Sequence, residues 1–363
     1  MIFAQGRAAP TAAVVGVVAL LAAGCGNSGT LESVPEPTGT RTDAIVDVSA
    51  SLKGSGASFP DAFYQEAVAG LGQVAPSLVV TYESVGSAAG REAFSQGLSD
   101  FAGTDSLVSA EDGIEAGSFF YIPATAASVA VVYNLPGIDD LRLDGPTLAR
   151  IFQRDITRWN HSDIAATNDG IDLPDVAITV ARRADGAGTT KNFTAFLESA
   201  VPDVWRLGSD DTVEWPAATQ GGAQNPGVAQ IVEAGIGGIG YLDFGNATEL
   251  DLDMASIANR EGAFVAPSVA GTVAALQGAE LNDDLTYDPL DGPGVDAYPI
   301  TAPTYLLVRS TYGDPTTGAG VVAFVKWLIT DGADAYAADL GYAPVPPAFR
   351  QTAFDRLDTV RIG

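Results

Sequence analysis

Residues 176–197 read VAITVARRADGAGTTKNFTAFL, and this stretch decides the fold. Its first five residues are apolar or β-branched, which predicts a strand over 176–180. Towards its end, Phe193, Phe196 and Leu197 are spaced three and one apart, the pattern of a helix with one apolar face. The glycine-rich elbow 182–190 joins the two. Strand, elbow and helix in this order predict a helix that packs on a sheet.

The same alternation recurs along the chain. Short β-branched runs predict further strands over 78–82, 129–133 and 305–308. Between them, apolar residues recur at helical spacing in more stripes. These stripes are Phe63, Ala67 and Leu71; Leu148, Ile151 and Phe152; and Val321, Phe324, Val325 and Leu328. Strands that alternate with helices predict an α/β architecture.

The composition excludes several classes of protein. The chain has 363 residues, with 45 acidic and 18 basic side chains, one histidine, one cysteine and a formal net charge of −27. A lone cysteine and a lone histidine cannot build a disulfide framework or a Cys- or His-rich metal site, so we expect no metal and no cofactor. The negative charge argues against nucleic acid and anionic membrane surfaces as partners. With 47% hydrophobic residues, the chain has enough apolar material for a core.

The N-terminus has the pattern of a secretory signal. Its apolar run over 12–23 is shorter than the ~20 residues that span a bilayer. The run ends in LAAGC at 21–25, which resembles a bacterial lipobox, so we expect a signal peptide over 1–24 and a lipid on Cys25. The alternative is an ordinary signal peptide with a chance cysteine. Residues 25–52 are rich in Gly, Ser, Thr and Pro and predict a flexible tether.

Two more elbows are similar to the one at 182–190. They read GSGASFP at 54–60 and SVGSAAGR at 84–91. Each elbow places a hydroxyl and free backbone N–H groups at the start of a predicted helix, where the helix dipole adds partial positive charge. Such a place suits an anion, and Arg182 and Arg183 stand beside the third elbow. The alternative is that each elbow is a helix cap that only satisfies itself.

A series of stretches resembles the substrate-binding protein of the bacterial high-affinity phosphate ABC transporter. In chain order they are GSGASFP, YESVGSAAG, DFAGTDSLVS, VVYNLPG, IFQRDITRWN, RRADGAGTTKNF, VEWP, GIGGIGY, DAYPIT and YAPVP. The resemblance implies an α/β fold of the two-domain periplasmic-binding-protein type II, with the ligand cleft between the domains. It implies a lipid-anchored protein outside the cytoplasmic membrane that binds inorganic phosphate and delivers it to ABC permease subunits. It implies no enzymatic activity.

The resemblance also implies where the domains divide. The chain leaves the first domain near 122–125 and returns to it near 298–301. The first domain is therefore discontinuous, with residues 53–123 and 300–363, and the second covers 124–299. An anion that contacts both domains favours the closed state, because only that state offers it both sets of contacts.

The resemblance implies a ligand shell drawn from both domains. Its members offer hydroxyls, backbone amides, one carboxylate and one guanidinium. They are Ser58, Phe59, Ser87, Asp105, Arg183, Ala187, Gly188 and Thr189. Asp185 is expected to hold Arg183 in place through charge-assisted hydrogen bonds. The family usually has Ser at position 187, so Ala187 keeps the amide but lacks a hydroxyl worth ~1.5–3 kcal/mol.

Asp105 bears most on the choice of ligand. A carboxylate repels an anion unless that anion brings a proton to share. Monohydrogen phosphate has such a proton and sulfate at neutral pH has none, so Asp105 would select phosphate by rejecting sulfate. The alternative for Asp105 is an Asx-type turn after a strand.

Several other interpretations lack support in the sequence or stay open. Residues 235–240 read GIGGIG, but a predicted helix rather than a strand precedes this dinucleotide-like pattern. His161 has no nucleophile placed near it by any motif. An extracellular phosphatase would need metal ligands or an activated nucleophile. Two alternative functions stay open: a protein of the same fold that binds sulfate or molybdate, and a surface adhesin or phosphate sensor that takes no part in transport.

Overall fold

The computed structural model describes residues 45–363. The predicted signal peptide 1–24, Cys25 and the predicted tether up to residue 44 lie outside the described residues. The tether prediction runs too far at its other end, because residues 50–52 belong to the first strand. Ala50 and Leu52 are buried there, and this short alternation is too weak a signal to separate from a linker.

The strands form one large mixed sheet and two small sheets. Their bounds are β1 Ala50–Gly56, β2 Leu78–Ser84, β3 Phe101–Thr104, β4 Phe119–Tyr133, β5 Arg142–Leu143, β6 Thr179–Arg183, β7 Gln220–Gly222, β8 Gly238–Asp243, β9 Asp253–Met254, β10 Ser256–Ala258, β11 Phe264–Val265, β12 Thr301–Arg309, β13 Thr311–Tyr312, β14 Ala343–Pro344 and β15 Arg361–Ile362.

Helices connect most of these strands. Their bounds are α1 Asp61–Val74, α2 Ser87–Ser95, α3 Gly145–Phe152, α4 Ser162–Ala166, α5 Gly188–Ala200, α6 Gln224–Glu233, α7 Phe244–Glu249, α8 Val269–Leu276, α9 Pro315–Trp327 and α10 Pro347–Leu357. A π-helix follows α9 over Leu328–Ala337, and 3-10 turns cover Ala110–Asp112 and Ala338–Leu340. No helix within residues 45–363 has the length and apolarity needed to cross a bilayer.

The large sheet runs β2-β1-β3-β12-β4-β8-β6-β7. β1 lies parallel to β2 and β3, and β6 lies parallel to β7 and β8, so each end of the sheet has the parallel pairing of an α/β unit. The long strands β4 and β12 run antiparallel to each other in the middle. Their register shifts between Thr304 and Tyr305, where they pair with Thr125 and Pro123.

The predicted strands over 78–82, 129–133 and 305–308 lie within β2, β4 and β12, and these predictions are confirmed. The strand predicted over 176–180 is displaced towards the elbow and becomes β6, Thr179–Arg183. Its expected first residues pair instead with the preceding loop, since Val176 accepts from the Trp159 amide. Trp159, in a turn, and Trp327, at the end of α9, are both buried in the core.

Candidate functional site

The three elbows lie between a strand and the helix that follows it. They join β1 to α1, β2 to α2 and β6 to α5. The N-cap residues of these helices are Pro60, Gly86 and Ala187, and none of them makes a side-chain capping hydrogen bond. By contrast, Asp144 and Asp314 cap α3 and α9 with their carboxylates. The elbow helices therefore do not satisfy their first amides with side chains of their own, as a purely structural cap would.

The elbows pack closely against one another. The amides of Val85 and Gly86 both donate to the Gly56 carbonyl at 2.9 Å, which joins the first elbow to the second. The Gly188 amide donates to Ser87 Oγ at 3.3 Å, which joins the second elbow to the third. A side-chain carbon on Gly188 would stand 2.6 Å from Cβ of Asp105, so only glycine permits this approach. The predicted elements thus meet at one place.

Arg183 is the buried cation of the site. Its side chain is 1% exposed, and it forms a paired contact with Asp185 through Nε, at 2.9 Å, and Nη2. Its Nη1 donates to Oδ1 of Asn225 at 2.8 Å and to Oγ1 of Thr189 at 3.4 Å. Burial favours a neutral Asp185, but the hydrogen bonds and charge of Arg183 outweigh burial and lower the pKa of Asp185. The expected holding role of Asp185 therefore has the expected geometry.

A buried polar chain behind Arg183 was not apparent from the sequence. Asn225, which accepts from Arg183 through Oδ1, donates through Nδ2 to Oδ2 of Asp243 at 2.7 Å. The Tyr342 hydroxyl donates to the Phe59 carbonyl at 2.7 Å and lies 3.3 Å from Oδ1 of Asp243. This chain links the third elbow to the first. Its only signal in the sequence was Tyr342 at the start of YAPVP, because a buried tyrosine hydroxyl needs a partner.

Asp105 lies at the end of β3 and is almost completely buried. Its Oδ1 accepts a hydrogen bond from Thr304 at 2.8 Å, and its backbone amide donates to Ser87 Oγ at 3.2 Å. Asn192 on α5 donates to the Asp105 carbonyl at 2.7 Å. Burial, opposed by the Thr304 hydrogen bond and the charge of Arg183, raises the pKa of Asp105 to about 7. The carboxylate is thus poised to gain or lose a proton near neutral pH.

The remaining predicted residues lie on the first and third elbows. The Ser58 hydroxyl is buried and makes no hydrogen bond to any other group of the described residues. Phe59 is fully buried, with its carbonyl held by Tyr342. The amide of Ala187 donates to the Asp211 carbonyl at 3.1 Å, so this amide is already engaged within the protein. Like the Gly188 amide on Ser87 Oγ, the Ala187 amide already has a protein partner, and the methyl side chain of Ala187 adds no donor.

Residues 45–363 contain no arrangement of side chains that would support metal binding or a proton relay. No group of three or more His, Cys, Asp or Glu side chains in that part of the chain could hold a metal ion. His161 accepts a hydrogen bond from the Asp163 amide and thereby caps the short helix α4. The glycine pattern at 235–240 leads from α6 into β8, as expected for a turn.

Sequence comparison places the chain among known proteins. The family model described as a PBP superfamily domain matches residues 35–332. The phosphate-binding protein PstS of Haemophilus influenzae is 33% identical over 302 residues, covering 82% of this chain and 89% of that protein. The chain belongs to the PstS family. Another PstS relative, phosphate-binding protein PstS 2 of Mycobacterium tuberculosis, is 31% identical and covers 96% of this chain and 97% of that protein.

Solved structures show the same fold at lower identity. A periplasmic phosphate-binding protein named PfluDING, solved with phosphate, superposes with a TM-score of 0.70 at 22% identity and covers 86% of this chain and 96% of that one. A phosphate-binding protein from Stenotrophomonas maltophilia gives a TM-score of 0.64 at 20% identity, covering 85% and 94%. The α/β fold of the two-domain periplasmic-binding-protein type, predicted from the sequence, is thereby confirmed for this PstS-family chain.

Proposed function

We propose that this protein binds inorganic phosphate between its two domains and delivers it to the permease of an ABC importer. The proposal rests on one observation: a single carboxylate acceptor lies among several hydrogen-bond donors. The buried carboxylate of Asp105 lies beside the Ser87 hydroxyl and the Gly188 amide, at the uncapped start of α5. An anion with a proton of its own satisfies both kinds of group, whereas a fully deprotonated oxyanion leaves Asp105 facing a like charge.

The ligand shell follows from the groups that converge there. Ser58 has a buried hydroxyl without a protein partner in the described residues, which suits a donor kept for a ligand. Arg183 is held rigidly by Asp185, so its charge is fixed in position before binding. We assign phosphate oxygens to Ser58, the Phe59 amide, Ser87, Arg183, the Gly188 amide and Thr189, and the phosphate proton to Asp105. Ala187 is assigned only a contact role.

Domain closure is part of the same proposal. We place residues 53–123 and 300–363 in one domain and 124–299 in the other. The register shift between β4 and β12 supports this division, because on β4 it falls between Pro123 and Thr125, at the proposed boundary, while β12 lies wholly in the first domain. Ser87 and Asp105 then face Gly188 and Arg183 across the cleft. A phosphate that contacts both sides stabilises the closed form, which the permease recognises.

We infer that the protein works outside the cytoplasmic membrane, anchored by a lipid on Cys25. The lipobox-like LAAGC supports the anchor, and the names of the relatives support phosphate binding rather than catalysis. We infer binding without a bond-breaking step, because the relatives are named as binding proteins and the hydroxyl groups of the proposed ligand shell have no histidine or lysine base as a hydrogen-bond partner among the described residues. Cys25→Ser should move the protein from the membrane fraction to the soluble fraction of fractionated cells.

Calorimetry with the purified protein tests the ligand. Phosphate, sulfate and molybdate are titrated separately at pH 8.5, where Asp105 is almost fully ionised, and phosphate is expected to bind at least about tenfold more tightly than sulfate. Equal binding of phosphate and sulfate would remove the role given to Asp105. Binding of none of the three would overturn oxyanion transport altogether. Uptake of labelled phosphate by cells that lack the gene tests delivery to the permease.

A further inference from the structure

Arg91 and Asp211 form an ion pair that the predicted ligand shell does not include. Nη2 of Arg91 lies 2.6 Å from Oδ2 of Asp211, and both side chains are buried. The two residues are 120 positions apart in the chain. Arg91 lies on α2, one turn beyond Ser87, and Asp211 follows α5 in the proposed second domain. The pair therefore crosses the cleft beside the elbows.

The other contacts of Arg91 all come from its own side of the cleft. Nε pairs with Asp112 at 2.9 Å, and Nη1 donates to Ser106 at 2.6 Å and to Thr104 at 3.2 Å. These contacts hold the guanidinium in place whether the cleft is open or closed. Among the described residues, Asp211 is thus the only partner that Arg91 gains when the cleft closes and loses when it opens.

Asp211 is tied to the third elbow through its backbone. Its carbonyl accepts the amide of Ala187, the N-cap residue of α5, at 3.1 Å. Its carboxylate uses Oδ2 for Arg91, while Oδ1 is buried and makes no hydrogen bond within the described residues. A displacement of Asp211 is therefore coupled through this hydrogen bond to the start of α5, where Gly188 and Thr189 lie.

The pair is charged and has access to solvent nearby. Burial lowers the pKa of Arg91, but Asp211 and Asp112 outweigh burial and raise it. A cavity of ≈ 540 Å³ borders the cleft here, and Arg91, Asp105 and Asp211 are among its lining residues. Opening the cleft would break the ion pair and expose Asp211 to water. Hydration of Asp211 would offset the lost ion pair only in part, because Arg91 would stay buried among Asp112, Ser106 and Thr104 without water in place of Asp211.

We propose that the Arg91–Asp211 ion pair is a latch across the cleft that slows phosphate release by stabilising the closed form. The inference rests on the proposed function, since it assumes that closure traps phosphate. A latch that forms only after the domains close acts on the dissociation rate, whereas association takes place from the open form. Neither residue needs to touch phosphate for this effect.

The test uses Asp211→Asn and Arg91→Gln, singly and together. We expect each single change to raise the phosphate dissociation rate at least about tenfold, because truncating one partner of a buried charge pair acts on dissociation, with the association rate changed less than about twofold. The double variant should resemble the single variants rather than multiply their effects. Stopped-flow displacement measures the rates. Asp155→Asn is the matched control, because it removes one acidic charge from the exposed pair of Asp155 with Arg206.

A second measurement needs no ligand. Small-angle X-ray scattering of ligand-free protein should give a larger radius of gyration for Asp211→Asn than for the parent protein and for Asp155→Asn. Unchanged dissociation rates and unchanged scattering in Asp211→Asn would overturn the latch. Equal increases in Asp211→Asn and Asp155→Asn would overturn it too, because net charge would then be the cause. A parent protein that binds no phosphate would instead overturn the proposed function, while the scattering comparison still tests the ion pair.

Discussion

The Thr304 hydroxyl donates a 2.8 Å hydrogen bond to Oδ1 of Asp105, although the two residues are 199 positions apart. Ser87 faces the other carboxylate oxygen at 3.5 Å. A carboxylate has about four acceptor sites, so these two hydroxyls leave room for a proton carried by a ligand. Burial meanwhile raises the pKa of Asp105 to about 7. Selectivity and pH dependence should therefore both depend on this one side chain.

Asp105→Asn should weaken the discrimination between phosphate and sulfate. The amide removes the negative charge that repels sulfate and adds an N–H group that can donate to it. We expect sulfate affinity at pH 8.5, where nearly all of Asp105 in the parent protein is ionised, to rise at least about tenfold, which corresponds to about 1.4 kcal/mol. Calorimetry with both anions measures the ratio. Continued exclusion of sulfate by the variant would mean that cleft shape rather than Asp105 rejects it.

Sulfate binding to the parent protein should depend on pH around the pKa of Asp105. Above pH 7 the ionised carboxylate repels sulfate, and below it the neutral carboxyl can donate a hydrogen bond to it. The neutral fraction falls tenfold for each pH unit above the pKa, so sulfate affinity should rise about tenfold from pH 9 to 8 and level off below about pH 6.5. Titrations at several pH values measure this. The Asp105→Asn variant is the control and should be flat; a similar slope there would assign the effect to another group, such as Asp243.

The sequence was sufficient for the architecture and for the elbows. Glycine, hydroxyl and helix-start signals are local, so the three elbows could be predicted from their own residues. The assignment of Ser87, Gly188 and Thr189 to a ligand shell is implied by the family resemblance and stays a prediction. Contacts between distant segments could not be predicted in the same way. The Thr304–Asp105, Asn225–Asp243 and Arg91–Asp211 contacts depend on how the strands order in the sheet. The displaced start of β6 has a similar cause, because a tertiary contact with the loop at Trp159 overrides the β-propensity of residues 176–178.

Tyr342→Phe should reduce phosphate affinity indirectly, because Tyr342 is not part of the proposed ligand shell. The change removes the hydrogen bond to the Phe59 carbonyl and the hydroxyl contact with Asp243 and so loosens the first elbow. One buried hydrogen bond is worth about 1 kcal/mol, so we expect about a fivefold loss of affinity and a small drop in Tm.

The control for Tyr342→Phe is Tyr298→Phe. The Tyr298 hydroxyl is also buried and donates to the Val129 carbonyl at 2.9 Å, away from the elbows. Both variants should lose similar thermal stability, but only Tyr342→Phe should lose affinity. Equal affinities in calorimetry for Tyr298→Phe and Tyr342→Phe would show that the polar chain behind Arg183 stabilises the fold without positioning the site.

Ala187→Ser should tighten phosphate binding. Ala187 is the buried N-cap of α5 and makes no side-chain capping bond, so a hydroxyl there would lie beside Gly188 and Thr189 at the start of the helix. A hydrogen bond to a charged ligand is worth ~1.5–3 kcal/mol, which corresponds to about ten- to a hundredfold in Kd. The competing outcome is a hydroxyl that only caps the helix, worth ~1 kcal/mol of stability. Calorimetry and thermal unfolding of the ligand-free protein separate the two, because a raised Tm with an unchanged Kd would assign the hydroxyl to the helix rather than to phosphate.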